Sequence, residues 1–113
     1  EVTIDEQDIF NVTMNESLAV ALLTNLLKNA FVHNIDGGHI RITVTKNSIT
    51  FRNSGVENPL DKEHIFERFY QGTKKEGSTG LGLAIADSIC RLQHLSIRYY
   101  FEQEEHCFEI SRQ

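Results

Sequence analysis

This 113-residue sequence holds little that breaks a chain or staples one. It has one proline, Pro59, and two cysteines, Cys90 and Cys107. Two cysteines without the spacing of a metal site read as reduced packing residues, the pattern of a cytosolic protein. No apolar run approaches the roughly 20 residues of a membrane span, and no signal peptide is visible. Basic residues are scarce, 11 against 16 acids, for a formal charge of −5. That balance speaks against nucleic acid or an anionic membrane as a partner of this domain. Any phosphate must then be met locally, by a metal, by backbone N–H groups and by a few Lys or Arg. There are no internal repeats and no low-complexity tracts. The length sets the expectation of a single domain over residues 1–113 with one modest core. The first residue is Glu1 rather than Met, so the chain is expected to be a piece of a longer protein.

Glycine is concentrated where it matters. Gly77-Ser78-Thr79-Gly80-Leu81-Gly82-Leu83 runs into Ala84-Ile85-Ala86-Asp87-Ser88-Ile89-Cys90. Leu81, Ile85, Ile89 and Leu92 recur at helical spacing, which predicts a helix with an apolar face. Ser78 or Thr79 is the expected N-cap. Glycines let a ligand approach the backbone, and the helix start favours an anion. No Lys-Ser or Lys-Thr follows, so the loop is not a Walker A sequence, and its Gly spacing is not the dinucleotide fingerprint. Two readings stand: a phosphate cradle, or a Gly-rich helix start without a ligand.

A second helix is predicted to run through Leu22 to Asn34, opened by a capping box of Thr13 and Glu16. Leu18, Leu22, Leu26 and Ala30 form an apolar stripe. Asn25 and Asn29, also four apart, stack beside it. Asparagine gains little inside a helix, and unpaired buried amides cost about 1–3 kcal/mol each. Their oxygens could ligate a hard cation such as Mg2+, or the amides could bond the backbone of a neighbouring strand.

The remainder reads as a sheet. Val2 and Ile4 begin it. Ile40, Ile42 and Val44 alternate with polar residues, then Ile49 and Phe51 follow a Lys46-Asn47 turn as a hairpin. Leu95, Ile97, Tyr99 and Phe101 alternate again, as do Phe108 and Ile110 across a turn at Gln103-Glu104-Glu105. About five strands and two long helices predict an α+β two-layer sandwich, a mixed sheet with helices on one face. Residues 56–79 form a long connection with a short helical segment near residues 61–69. Lys74 and Lys75 could meet phosphate or simply be solvated. Arg68 could reach phosphate or pair with a surface acid. Phe66 and Phe69 share a face and would anchor this segment by packing.

The order of these motifs resembles the catalytic and ATP-binding domain of bacterial sensor histidine kinases, in the GHKL superfamily with gyrase, Hsp90 and MutL. Asn25 to Asn34 resembles the N box and Phe51-Arg52-Asn53-Ser54-Gly55-Val56 the G1 box. Ile65-Phe66-Glu67-Arg68-Phe69-Tyr70-Gln71-Gly72 resembles the F box, and Ser78 to Ile85 the G2 box. The resemblance implies the Bergerat fold, with residues 56–79 as an ATP lid. It implies ATP and Mg2+ as cofactors, with Asn29 as the metal ligand and Asn25 and Asn29 as the catalytic pair. ATP would contact these two amides, His33, Asn53 and Gly55. Phe66, Arg68, Phe69 and Lys74 would meet it from the lid, and Thr79, Gly80, Leu81, Gly82 and Leu83 would meet its phosphates. The implied activity is transfer of the γ-phosphoryl group to a histidine on a separate dimerisation domain. A response regulator would act downstream. The domain itself would lie in the cytoplasm, with the parent protein anchored in the inner membrane in some architectures.

Several positions depart from the family pattern. Asn25 stands where gyrase-like relatives have the glutamate that activates water, and an amide cannot take a proton at neutral pH. That favours transfer to a protein nucleophile over hydrolysis. Val32 replaces a usual lysine, and His33 replaces a usual tyrosine. Asn53 replaces the aspartate that accepts the adenine amino hydrogen, and Glu57 replaces the second G1 glycine. Asn53 carries both a donor and an acceptor, so a weakened preference for adenine over guanine is expected. None of His33, His39, His64, His94 and His106 precedes an acid as the phosphoacceptor does. Apart from His33, all are expected to be structural or surface residues. Two alternatives remain: a degenerate module that binds nucleotide weakly or not at all, and an anti-sigma-type serine kinase of the same superfamily.

Overall fold

The computed structural model of this protein describes residues 2–10, 12–32, 37–55, 65–66 and 81–112. Its elements are β1 (Val2–Glu6), α1 (Glu16–Val32), β2 (Ile40–Val44), β3 (Ser48–Ser54), α2 (Gly82–Leu92), β4 (Leu95–Glu102) and β5 (Glu105–Arg112). The strands form one sheet in the order β1-β2-β3-β5-β4. β1 runs parallel to β2, and the other pairs are antiparallel. The mixed five-stranded sheet with two helices is the architecture expected from the alternation pattern.

Register sorts the side chains into two faces. Ile42, Phe51, Phe108 and Tyr99 lie in one cross-strand row, and Val44, Ile49, Ile110 and Ile97 in another. These rows face the helices, where Leu22 and Leu26 of α1 and Ala86, Ile89 and Cys90 of α2 close the core. Asn53 and His106 extend the same face at the far end of β3 and β5. The opposite face carries Arg41, Arg52, Cys107 and Tyr100 in one row and Thr43, Thr50, Glu109 and Arg98 in the next.

The helix starts differ from expectation. Asn15, not Thr13, caps α1: its Oδ1 accepts from the N–H groups of Ser17 (2.8 Å) and Leu18 (3.3 Å). The short Asn side chain directly before the helix satisfies two terminal donors, which leaves the Thr13–Glu16 box without a role. The N-cap of α2 is Leu81, with no side-chain cap, so neither Ser78 nor Thr79 fills that place. Both of those residues lie outside the described ones. The buried face of α2 is consequently Ala86, Ile89 and Cys90, while Ile85 and Leu92 are exposed. The α1 stripe is as expected, with Leu22, Leu26 and Ala30 buried. Of the helical segment expected near residues 61–69, only Ile65 and Phe66 are described, as a turn.

Candidate functional site

Two amide-bearing residues, Asn25 and Asn29, lie on α1, and Asn25 faces the start of α2. Asn25 is half-buried, and its Nδ2 donates to the Ala21 carbonyl oxygen at 2.8 Å. This bond to its own helix replaces the strand contact considered from sequence. The other end of the amide points at α2: a Cβ on Gly82 would lie 3.1 Å from Asn25 Oδ1. Glycine at this point lets the two helices approach without displacing the amide. Asn29 lies one turn further along α1 and is half-buried. The first helical bond of α2 runs from the Ile85 N–H to the Leu81 carbonyl at 2.9 Å. The N–H groups of Gly82, Leu83 and Ala84 precede it and find no side-chain cap at Leu81. The start of α2, the positive end of its dipole, therefore sits beside the Asn25 oxygen. Leu83 packs against the core and fixes this end of the helix.

The second half of the site is the end of β3. Asn53 is 1% exposed, flanked in register by Ile40 and His106. Its Nδ2 donates to the Ser54 carbonyl oxygen at 3.0 Å. Gly55 follows, and its N–H donates to the Glu104 carbonyl at 3.0 Å. A Cβ on Gly55 would run into the His106 ring. That ring is fixed by a 2.7 Å hydrogen bond between Nδ1 and the Tyr99 hydroxyl and by stacking on Tyr99. Glycine is thus demanded at 55 by the close approach of a buried ring, which gives His106 the structural role expected of it. Phe66 meets Phe108 edge-on, ring centroids 6.2 Å apart, and joins the hydrophobic core. Its contacts among the described residues are those of the packing anchor that the sequence suggested.

A polar cluster on the opposite face escaped the sequence reading. Ser54 Oγ lies 2.8 Å from His39 Nδ1, and His39 Nε2 lies 2.7 Å from Glu105 Oε2. Arg41 Nη2 donates to Glu105 Oε1 at 2.8 Å. The Glu105 side chain is only 5% exposed. Extending the β2–β3 register by one step past Ile40 and Asn53 brings His39 opposite Ser54, a signal already contained in the hairpin. The Glu105 contact crosses to β5 and has no such local signal.

His33, Arg68, Phe69, Lys74, Thr79 and Gly80 lie outside the described residues, as do Glu57 and Lys75. Of the remaining predicted residues, Asn25, Leu81, Gly82 and Leu83 gather where α1 meets the start of α2, and Asn29 lies one turn further along α1. Asn53 and Gly55 form the end of β3. A separate cavity of about 190 Å3, lined by Phe10, Val12, Met14, Leu22, Ile49, Leu95 and Ile110 among others, opens near the opposite end of β3. Its apolar lining does not suit a nucleotide.

The Histidine kinase-, DNA gyrase B-, and HSP90-like ATPase family matches residues 14–111. The chain belongs to this family. The sensor histidine kinase RppB of Synechocystis is 43% identical over 84 residues, covering 66% of this chain and 18% of that protein. The heme sensor protein HssS of Staphylococcus aureus is 35% identical over 103 residues, covering 87% of this chain and 22% of that protein. The chain thus spans about a fifth of the length of these curated relatives. The catalytic domain of histidine kinase ThkA shares the fold with a TM-score of 0.80 at 23% identity, over 97% of this chain and 76% of that one. The mycobacterial sensor histidine kinase MprB does so at 0.82 and 20% identity, over 99% of this chain and 84% of that one. The described architecture is therefore the GHKL fold of histidine kinase catalytic domains. No described helix of this GHKL domain is long and apolar enough to cross a membrane.

Proposed function

We propose that this chain binds ATP with Mg2+ and donates the γ-phosphoryl group to a histidine on the dimerisation helices of a two-component sensor kinase. A response regulator is the next acceptor. The single observation that carries this reading is the approach of the Asn25 amide to the start of α2 at Gly82, within a chain of this family. Backbone N–H groups and a helix dipole there suit phosphate oxygens. Asn29 offers a neutral oxygen of the kind hard cations accept. Among the described residues no cluster of His, Cys, Asp and Glu could hold a metal on its own. A divalent ion would thus take an amide oxygen, phosphates and water as ligands. When bound, Mg2+ neutralises phosphate charge. Asn53 accepts the adenine amino hydrogen through Oδ1, and Gly55 keeps the backbone beside the purine thin.

Catalysis in this reading is positioning and charge stabilisation, with no general base at position 25. Asn25 orients and excludes, because its amide cannot take up a proton. His33, Arg68, Phe69, Lys74, Thr79 and Gly80 are assigned to the same nucleotide on the family pattern alone. The domain works in the cytoplasm.

The test is incubation with γ-labelled ATP, with phosphoacceptor helices supplied in trans. Acid-labile label on the helices is the expected result. Acid-stable label on a partner serine would favour the serine-kinase alternative. No nucleotide binding would favour the degenerate module.

A further inference from the structure

Antiparallel partners in a hydrogen-bonded pair normally exchange two backbone bonds. His39 and Ser54 exchange one. The Ser54 N–H donates to the His39 carbonyl at 3.1 Å. The reciprocal His39 N–H donates not to the Ser54 carbonyl but to Ser54 Oγ, at 2.7 Å. The Ser54 carbonyl oxygen is thereby released from the ladder, and Asn53 Nδ2 donates to it at 3.0 Å.

The hydroxyl that performs this exchange is itself held. Ser54 Oγ accepts from the His39 backbone N–H at 2.7 Å, lies 2.8 Å from His39 Nδ1 and is also 3.2 Å from the His39 carbonyl oxygen. His39 Nε2 then carries the ring proton and donates to Glu105 Oε2 at 2.7 Å, because a carboxylate only accepts. Arg41 holds the other carboxylate oxygen at 2.8 Å. Ser54 is buried, and so is Glu105.

From this we infer that Ser54, backed by His39 and Glu105, is a positioning residue that sets the purine specificity of the domain. With Nδ2 committed to the Ser54 carbonyl, Oδ1 is the atom of Asn53 turned away from it. Rotating the amide by half a turn would set Oδ1 against the Ser54 carbonyl, two acceptors facing each other. Asn53 therefore presents an acceptor, like the carboxylate usual at this position, and selects adenine's amino donor over guanine's carbonyl. The geometry reverses the weakened adenine preference expected from the Asn side chain alone. The inference rests on Asn53 as the adenine contact.

The test is competition of ATP and GTP against a fluorescent nucleotide. The unmodified chain should prefer ATP by at least about tenfold, as a hydrogen-bonding site does. Ser54→Ala lets the His39 N–H return to the carbonyl of residue 54, where it competes with the Asn53 amide and loosens its orientation, so the preference should fall to within about threefold. Ser54→Thr, which keeps a γ-hydroxyl, should restore it. A merely structural defect would weaken both nucleotides together and leave their ratio intact. An unchanged ratio in Ser54→Ala, or no ATP preference in the unmodified chain, overturns the inference. If Ser54→Ala does not fold, His39→Ala removes only the ring behind the hydroxyl and should lower the ratio at least about threefold; an unchanged ratio overturns it equally. Displacement by neither nucleotide in the unmodified chain would instead sink the ATP reading, and the inference with it.

Discussion

Asn25 Oδ1 stands 3.1 Å from the point where a side chain on Gly82 would begin. The contact joins α1 to the start of α2, and its tightness leaves room for no branched residue. Gly82→Val should weaken ATP binding at least about tenfold, by displacing the Asn25 amide and covering the N–H groups proposed to meet phosphate. Circular dichroism should keep its helical signal. Calorimetric affinity within about threefold of the unmodified chain would make this loop a structural turn only.

Gly55 is constrained from the other side of the site. A methyl group there meets the His106 ring, which the Tyr99 hydroxyl holds in place. Gly55→Ala should cost about 1–3 kcal/mol, the range for overpacking. Combining it with His106→Ala should cost less than the sum of the two single changes, because the clash is removed. Urea unfolding of the four chains gives the coupling directly.

The β2–β3 hairpin was legible because Ile40, Ile42 and Val44 alternate and a polar turn separates them from Ile49 and Phe51. Its register carries Asn53 to the core face beside His106. Helix ends were less legible. The Thr13–Glu16 pattern is a sound local cap, but Asn15 reaches two N–H groups from the adjacent position. Ser78 and Thr79 are good cap types by sequence, but α2 opens at Gly82, against Asn25, with Leu81 as its N-cap. The His39–Glu105 contact spans 66 residues and exists only because β5 pairs with β3. No window of sequence contains that fact.

Burial pushes the Cys90 thiol up to about 11, with Asp87 adding to the shift. Burial also raises the Cys107 thiol, against the pull of Arg52. A folded-state pKa above the unfolded one means that the unfolded chain loses its proton first. Stability is then unaffected well below the ordinary thiol pKa and falls as pH rises from there towards about 11. Urea midpoints at about pH 8 and about pH 10.5 should differ, and Cys90→Ala should shrink the difference. In the folded protein Cys90 should resist alkylation at neutral pH. An identical pH slope in Cys90→Ala would remove this residue from the alkaline loss.

The most direct measurement is calorimetric titration of ATP into the unmodified chain and into Asn29→Ala, each with and without Mg2+. The unmodified chain should bind ATP with an affinity that Mg2+ strengthens, and the variant should keep its fold but lose most of that Mg2+-dependent gain. Equal affinities for both chains in both conditions would take Asn29 out of the site. No heat of binding in the unmodified chain would contradict the account of this domain as an ATP-binding kinase module.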